Sequence, residues 1–231
     1  MEQLPLGVRL RTASTFASFH PGENAALIAA LEARAQEPRL PPLWIWAAPG
    51  AGRSHLLQAT CALAGASGRR AGYLPLAASW PTPALLAGLE SLDVVCLDDA
   101  ERILTGADWQ QALFAFYNDL AERGGNLVIS AARPPQALDI QLRDLASRLA
   151  ASIVWQLRPL GHADQAAALQ ARARALGIEL TEETLQYLQR RLPRDLAVLC
   201  DALDRLDGAA LAQQRRLTVP FVRSVLQLSG D

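Results

Sequence analysis

The chain contains no lysine. All 22 of its basic side chains are arginines, so any site that needs a cation must use a planar guanidinium rather than a compact ammonium. Methionine occurs once, and histidine and cysteine three times each. His20, His55 and His162 are too scattered to form a metal site. Cys61, Cys96 and Cys200 have no metal-ligand spacing. Cys61 falls in a helical pattern and Cys96 in a core-strand pattern, so both are expected to be buried as small apolar groups. There is no basic excess either. The net charge is −1 and the pI near 6.3, which lacks the electrostatic footprint of a dedicated nucleic-acid binder. No apolar run reaches membrane-spanning length, and no signal peptide is recognisable. A cytoplasmic protein with no membrane contact is therefore expected. Apolar residues make up 51% of 231 positions. That is enough to bury the core of one α/β domain and a small second one.

The most informative stretch is Leu43 to Leu57, LWIWAAPGAGRSHLL. An apolar run bends through a Gly-rich turn into a Ser-led apolar helix. That is the layout of a P-loop, whose pattern is G-x-x-x-x-G-K-[ST]. Here Ala47 stands for the first Gly and Arg53 for the Lys. Gly50 and Gly52, with Pro49 and Ala51 around them, let the backbone turn tightly and aim N–H groups at an anion. Arg53 keeps the positive charge as a fork that can pair with phosphate. Ser54 opens the helix and can offer its hydroxyl to Mg²⁺. His55 follows it in the first turn. A βα turn of an ordinary α/β protein is the competing expectation.

A second segment, Val94-Val95-Cys96-Leu97-Asp98-Asp99, reads as a buried parallel strand ending in two acids, a Walker B segment. Asp98 would hold Mg²⁺, directly or through water. Asp99 stands where a Glu often orients the attacking water, and is one methylene shorter. The alternative is a core strand with a polar end.

Around these segments, strands and helices alternate. Strands are expected at Leu43–Ala47, Gly72–Leu76, Val94–Leu97, Asn126–Ser130 and Ile153–Leu157. Helices are expected at Asn24–Ala35, at His55–Gly65, from Thr82–Pro83 with Thr82 as N-cap, and at Trp109–Arg123, stopped by Gly124-Gly125. Beyond Pro159 the pattern becomes all helical: His162–Leu176, a helix capped by Thr181, Asp195–Leu206 and Val219–Leu228. The expected organisation is an extended tail (1–14), an αβα domain (15–160) with a five-stranded parallel sheet between helices, and a helical lid (161–231).

P-loop, Walker B segment and helical lid together resemble an AAA+ module. Thr15-Phe16-Ala17-Ser18-Phe19 followed by Pro21-Gly22-Glu23-Asn24 resembles the opening of the nucleotide module of the bacterial replication initiator DnaA. Leu145-Ala146-Ser147-Arg148-Leu149 is similar to that family's arginine-finger box, and Leu192-Pro193-Arg194-Asp195-Leu196 to its sensor 2 helix start. DnaA continues into a helix-turn-helix DNA-binding domain and carries N-terminal domains that this sequence lacks. The length, the tail and the LTVPFV run at Leu217–Val222 resemble the Hda family of short DnaA-related regulators. In that setting Gln3-Leu4-Pro5-Leu6-Gly7-Val8 is similar to the peptide that docks on the DNA polymerase sliding clamp. Gln3 would supply paired hydrogen bonds, while Leu4 and Leu6 would fill an apolar pocket, with Val8 closing the contact where the motif has a bulkier apolar ending.

The resemblance implies a regulator of chromosome replication that binds ADP, or ATP, with Mg²⁺. It would dock on the clamp, touch DNA only through it, and present Arg148 in trans to ATP held by DnaA. Arg194 would sit over the chain's own phosphates. Self-association is open. The competing expectation is structural: Arg148 as a surface residue paired with Asp144, and Arg194 as a helix-start residue paired with Asp195 or Glu182. The sequence departs from initiators at Ala132, which occupies the place of the sensor 1 acid, with Ser130 the only nearby polar substitute. Together with Ala47 and Arg53, this points to a nucleotide that is bound more than turned over. The alternative is an autonomous AAA+ ATPase of the helicase-loader type.

Overall fold

A computed structural model describes residues 14–77, 82–193, 196–213 and 216–227. The expected clamp-binding residues Gln3, Leu4, Leu6 and Val8, and the expected sensor 2 residue Arg194, lie outside them. The chain divides into two compact units. One contains Ala25–Ala47 and Arg53–Leu157 with residues 14–19; the other contains the chain from Arg158 onward, with His20–Asn24 and Ala48–Gly52.

The first unit is built on five parallel strands: β1 (Leu43–Trp46), β2 (Ala71–Pro75), β3 (Val94–Asp98), β4 (Asn126–Ala131) and β5 (Ile153–Gln156). Their order is β2-β3-β4-β1-β5. Every residue of β3 and β4 is buried, whereas Ile153 and Gln156 of edge strand β5 are exposed. Pro75 is tolerated because β2 is the other edge, where a missing N–H breaks no ladder bond.

Successive residues of a strand face opposite sides, and the two sides differ here. Trp44, Val95, Leu97, Leu127 and Ile129 join one core with Leu113, Phe116 and Leu120 of α3 (Ala107–Glu122) and Leu145 and Leu149 of α4 (Arg143–Ala150). The alternate residues Leu43, Ile45, Val94, Cys96 and Val128 are equally buried. They face α2 (Arg53–Ala66), which packs on β2, β3 and β4 and against α1 (Ala25–Gln36). By the same alternation Tyr73, Asp98 and Ser130 stand on the α2 side, because Tyr73 is level with Cys96. This parity puts polar groups from three neighbouring strands under the start of one helix.

Helix α3 ends in a Schellman motif, as the Gly124-Gly125 signal predicts. Gly124 has φ +77°, its N–H donates to Ala121 O, and Gly125 N–H donates to Leu120 O. A Cβ on Gly125 would lie 2.9 Å from Leu92 O. Two local expectations need correction. Thr82–Pro83 opens only a 3-10 turn, Pro83–Leu86, and the Thr82 side chain makes no cap bond. The sequence marks the α4 segment as a motif and gives no helix signal for it. It is two turns of helix, held by its two buried leucines.

The second unit carries α5 (His162–Ala175), α6 (Glu182–Arg191), α7 (Leu196–Gln213) and α8 (Val219–Leu226). Thr181 caps α6, its hydroxyl accepting from Thr184 N–H. Helix α7 runs through Gly208 to Gln213, past the Leu206 expected from sequence. Leu169, Leu185, Leu188, Leu199, Leu203 and Phe221 form its core. Arg172 of α5 pairs with both oxygens of Asp204 on α7, at 3.0 and 2.6 Å. Among the described residues no strand follows β5.

Candidate nucleotide-binding site

The carboxyl ends of β1, β3 and β4 are level: Trp46 pairs with Ala131, and Leu97 with Ile129. In open α/β sheets the ligand crevice lies outside these ends, where the strand order reverses. Strand β1 is that point here, since the chain steps from β3-β4 on one side to β5 on the other. From its end the loop 48–52 leads into α2. Gly50 has φ +79° and Gly52 φ +100°, conformations that glycine adopts without the strain a Cβ would bring. Helix α2 opens at Arg53, one residue before the expected Ser54. Ser54 is exposed, whereas Arg53 is 8% exposed.

Asp98 ends β3 and is 2% exposed. Tyr73 Oη donates to its Oδ2 at 2.7 Å, and Ser130 Oγ donates to its Oδ1. Buried carboxylates need such donors to remain charged. Tyr73 also lies within reach of Ser54 and Gln58 on α2. Burial first, and the Asp98 charge second, push its phenol well above the usual range, so it stays a donor.

Asp99 follows in the left-handed conformation, φ +57°, rare for a residue with a Cβ. Its N–H donates to Ser130 Oγ at 3.1 Å. One hydroxyl thus binds the Asp98 carboxylate and the Asp99 backbone together. Arg53 Nη2 donates to Asp99 Oδ1 at 2.8 Å, and Arg53 Nη1 lies 4.0 Å from Glu101 Oε1. Burial, and then the charge of Asp98, raise the Asp99 pKa, with Arg53 opposing them.

His55 lies in the first turn of α2 and is half-buried. Its Nε2 lies 2.9 Å from Thr15 O, and its ring packs on Phe19 with centroids 5.5 Å apart. Ser14 Oγ donates to Gln58 Oε1. The segment 14–19 is thereby tied to α2. Ala132 and Arg133 follow β4, and Trp44 Nε1 donates to Arg133 O at 3.0 Å.

Arg148 is remote from these groups in sequence, on the exposed side of α4. Its guanidinium lies over the Tyr117 ring of α3, 6.0 Å from the centroid. That stack, rather than a pair with Asp144, is its contact. Sequence alone names Arg53, Ser54, His55, Asp98 and Asp99. Strand packing assembles Arg53, Asp98 and Asp99 with Tyr73, Ser130 and Glu101. Tyr73 and Glu101 carry no motif, and only the β2–β3 register could have singled out Tyr73.

The groups fit a nucleotide phosphate with Mg²⁺. Two positive-φ glycines precede a helix N-terminus, and a buried guanidinium and a buried carboxylate stand beside it. Arg53 Nη1 is buried and lacks a hydrogen-bond partner, an unfilled donor where an anion oxygen would be accepted.

Residues 83–156 match the bacterial DnaA ATPase domain, and residues 162–226 match the lid domain of Hda. The fold is that of DnaA domain III from Thermotoga maritima, with a TM-score of 0.78 at 23% identity, covering 94% of this chain and 96% of that one. DnaA bound to AMPPCP and single-stranded DNA matches with a TM-score of 0.73 at 21% identity, covering 89% and 69%. AMPPCP-bound DnaA from Aquifex aeolicus matches with 0.70 at 24% identity, covering 85% and 65%. Within one chain, a stretch that matches a DnaA ATPase domain is thus followed by a stretch that matches an Hda lid.

Proposed function

We propose that this protein regulates replication initiation by promoting hydrolysis of ATP held by DnaA, while itself binding ADP. The observation that carries the reading is the succession, in one chain, of a DnaA-type ATPase domain and an Hda-type lid. Residues 15–160 form the nucleotide-binding domain in this reading, residues 161–231 the lid, and residues 1–14 the segment that docks on the sliding clamp. Gln3, Leu4, Leu6 and Val8 make that contact, so DNA is reached through the clamp. Tethering to clamp on newly replicated DNA raises the local concentration of the complex, and weak individual contacts then suffice.

In the chain's own site, Pro49 to Gly52 give backbone N–H groups to the phosphates, and Arg53 gives its guanidinium. Ser54 and Asp98 would hold Mg²⁺, which would supply positive charge to offset that of the phosphates. Tyr73 and Ser130 keep the Asp98 carboxylate oriented. His55 and Arg194 complete the nucleotide contacts. Three departures favour binding over turnover: Ala47, Arg53 and Ala132 replace groups that a hydrolytic site of this type uses.

Arg148 serves the partner. An arginine finger works from an exposed position beside another molecule's γ-phosphate. Exposure on a short helix, with the guanidinium steadied over Tyr117 rather than consumed by an acid, is consistent with that task.

Thermal melting with and without Mg²⁺–ADP tests the nucleotide site. A ligand that binds only the folded chain stabilises it by about 2.7 kcal/mol at 100 times its Kd. The melting temperature should therefore rise, and Arg53→Ala or Asp98→Ala should blunt the rise. A chain whose melting is indifferent to millimolar ADP does not have this site.

A further inference from the structure

We propose that Asp99 is a positioning residue: its carboxylate holds the Arg53 guanidinium so that Nη1 is left to meet a nucleotide phosphate. This rests on the nucleotide-site reading above and assigns Asp99 a different task from the water-orienting one its sequence position suggests.

Four observations carry it. Asp99 takes the left-handed conformation, φ +57°. Its N–H is fixed to Ser130 Oγ, which is itself fixed to Asp98. Its Oδ1 then accepts from Arg53 Nη2 at 2.8 Å. Arg53 Nη1, on the same guanidinium, is buried with no hydrogen-bond partner, and Glu101 Oε1 is 4.0 Å away. Arg53 is thus held by one nitrogen and unsatisfied at the other, although the whole side chain is 9% exposed. A guanidinium is a rigid fork with five donors, so it can bridge two anions at once. A buried donor without an acceptor is destabilising until an acceptor arrives. The phosphate of a nucleoside diphosphate is such an acceptor, because Arg53 directly follows the glycine loop. The long arginine side chain has many rotamers, and a carboxylate at one end of the fork selects among them before the ligand binds. A carboxylate engaged in that way is poorly placed to take a proton from water.

The test is calorimetric titration of Mg²⁺–ADP into the full chain and into Asp99→Ala, Asp99→Asn, Arg53→Ala and the Arg53→Ala/Asp99→Ala double variant. Each is first melted without nucleotide to confirm folding. Asp99→Ala should weaken ADP binding at least ~10-fold, as losing a charge-assisted bond would. Asp99→Asn should fall between it and the unaltered chain, because the amide oxygen still accepts from Nη2. In the Arg53→Ala background the Asp99 substitution should add nothing further. Should Asp99→Ala fold poorly, the isosteric Asp99→Asn and its Arg53→Ala double variant decide the question by the same coupling. Unchanged or tighter ADP binding in both Asp99 variants overturns the proposal and leaves the nucleotide site standing. So does an equal loss in the Arg53→Ala background. Failure of the unaltered chain to bind ADP overturns the nucleotide reading and this proposal together.

Discussion

Asp98 accepts hydrogen bonds on both oxygens, from Tyr73 and from Ser130, while only 2% exposed. Removing one donor leaves a buried charged acceptor short of a partner. Such a loss costs about 1–3 kcal/mol or more. Tyr73→Phe should therefore lower the melting temperature and weaken ADP binding more with Mg²⁺ than without it, since Asp98 is the proposed metal ligand. An equal loss with and without Mg²⁺, in parallel titrations, would assign Tyr73 to packing alone. Asp98 and Asp99 were legible as a pair because two acids ending an apolar run is a local pattern. Arg53 and Ser54 were legible for the same reason. Tyr73 was not, because it reaches Asp98 across the β2–β3 pairing, and strand register is set by long-range packing that no local pattern records. The stack of Arg148 on Tyr117 is hidden from the sequence for the same reason. Asp144 is four residues away and visible in sequence, whereas Tyr117 comes from another helix.

Elements with a strong local cause formed where the sequence placed them. The Gly124-Gly125 stop of α3 and the Thr181 cap of α6 both follow from backbone chemistry at one or two residues. Gly125→Ala would bring a Cβ to 2.9 Å from Leu92 O, a clash with backbone that cannot swing aside. It should destabilise the first unit by about 1–3 kcal/mol, and Thr181→Ala the lid by about 1 kcal/mol. For a chain of this length each kcal/mol lowers melting by about 2–4 °C, which calorimetry resolves. A Gly125→Ala protein that melts at the original temperature would mean that α3 and its neighbour relax freely. The misplaced elements lack a local cause. Thr82-Pro83 carries a helix-start signal, but only a 3-10 turn follows, and the Thr82 hydroxyl caps nothing. Helix α4 is too short to be stable by propensity and depends on Leu145 and Leu149 entering the core. Helix α7 passes Gly208 because tertiary contacts outweigh the roughly 1 kcal/mol that glycine costs a helix.

The pattern of alternating strands and helices followed by helices alone was enough to read an α/β core with a helical lid, and the P-loop and Walker B segments added the resemblance to an AAA+ module. The order β2-β3-β4-β1-β5 came only with the structure. On the proposed reading the molecule has two working ends outside its own nucleotide site. At the first, Gln3→Ala with Leu4→Ala should abolish binding to immobilised clamp and leave melting unchanged, because the paired hydrogen bonds and an apolar anchor go together. Retained clamp affinity would remove the tail from the mechanism. At the second, Arg148 is exposed and its contact with Tyr117 is a surface cation–π stack worth about 0.5–1 kcal/mol. Its loss should hardly affect folding. The measurement that bears most directly on the account is therefore hydrolysis of ATP preloaded on DnaA, followed with clamp-loaded DNA and either the unaltered chain or Arg148→Ala. The variant should bind ADP and clamp as before, yet stimulate hydrolysis at least ~10-fold less, as removal of an arginine finger does. Stimulation by Arg148→Ala at the unaltered rate would contradict the finger assignment and the regulatory mechanism built on it.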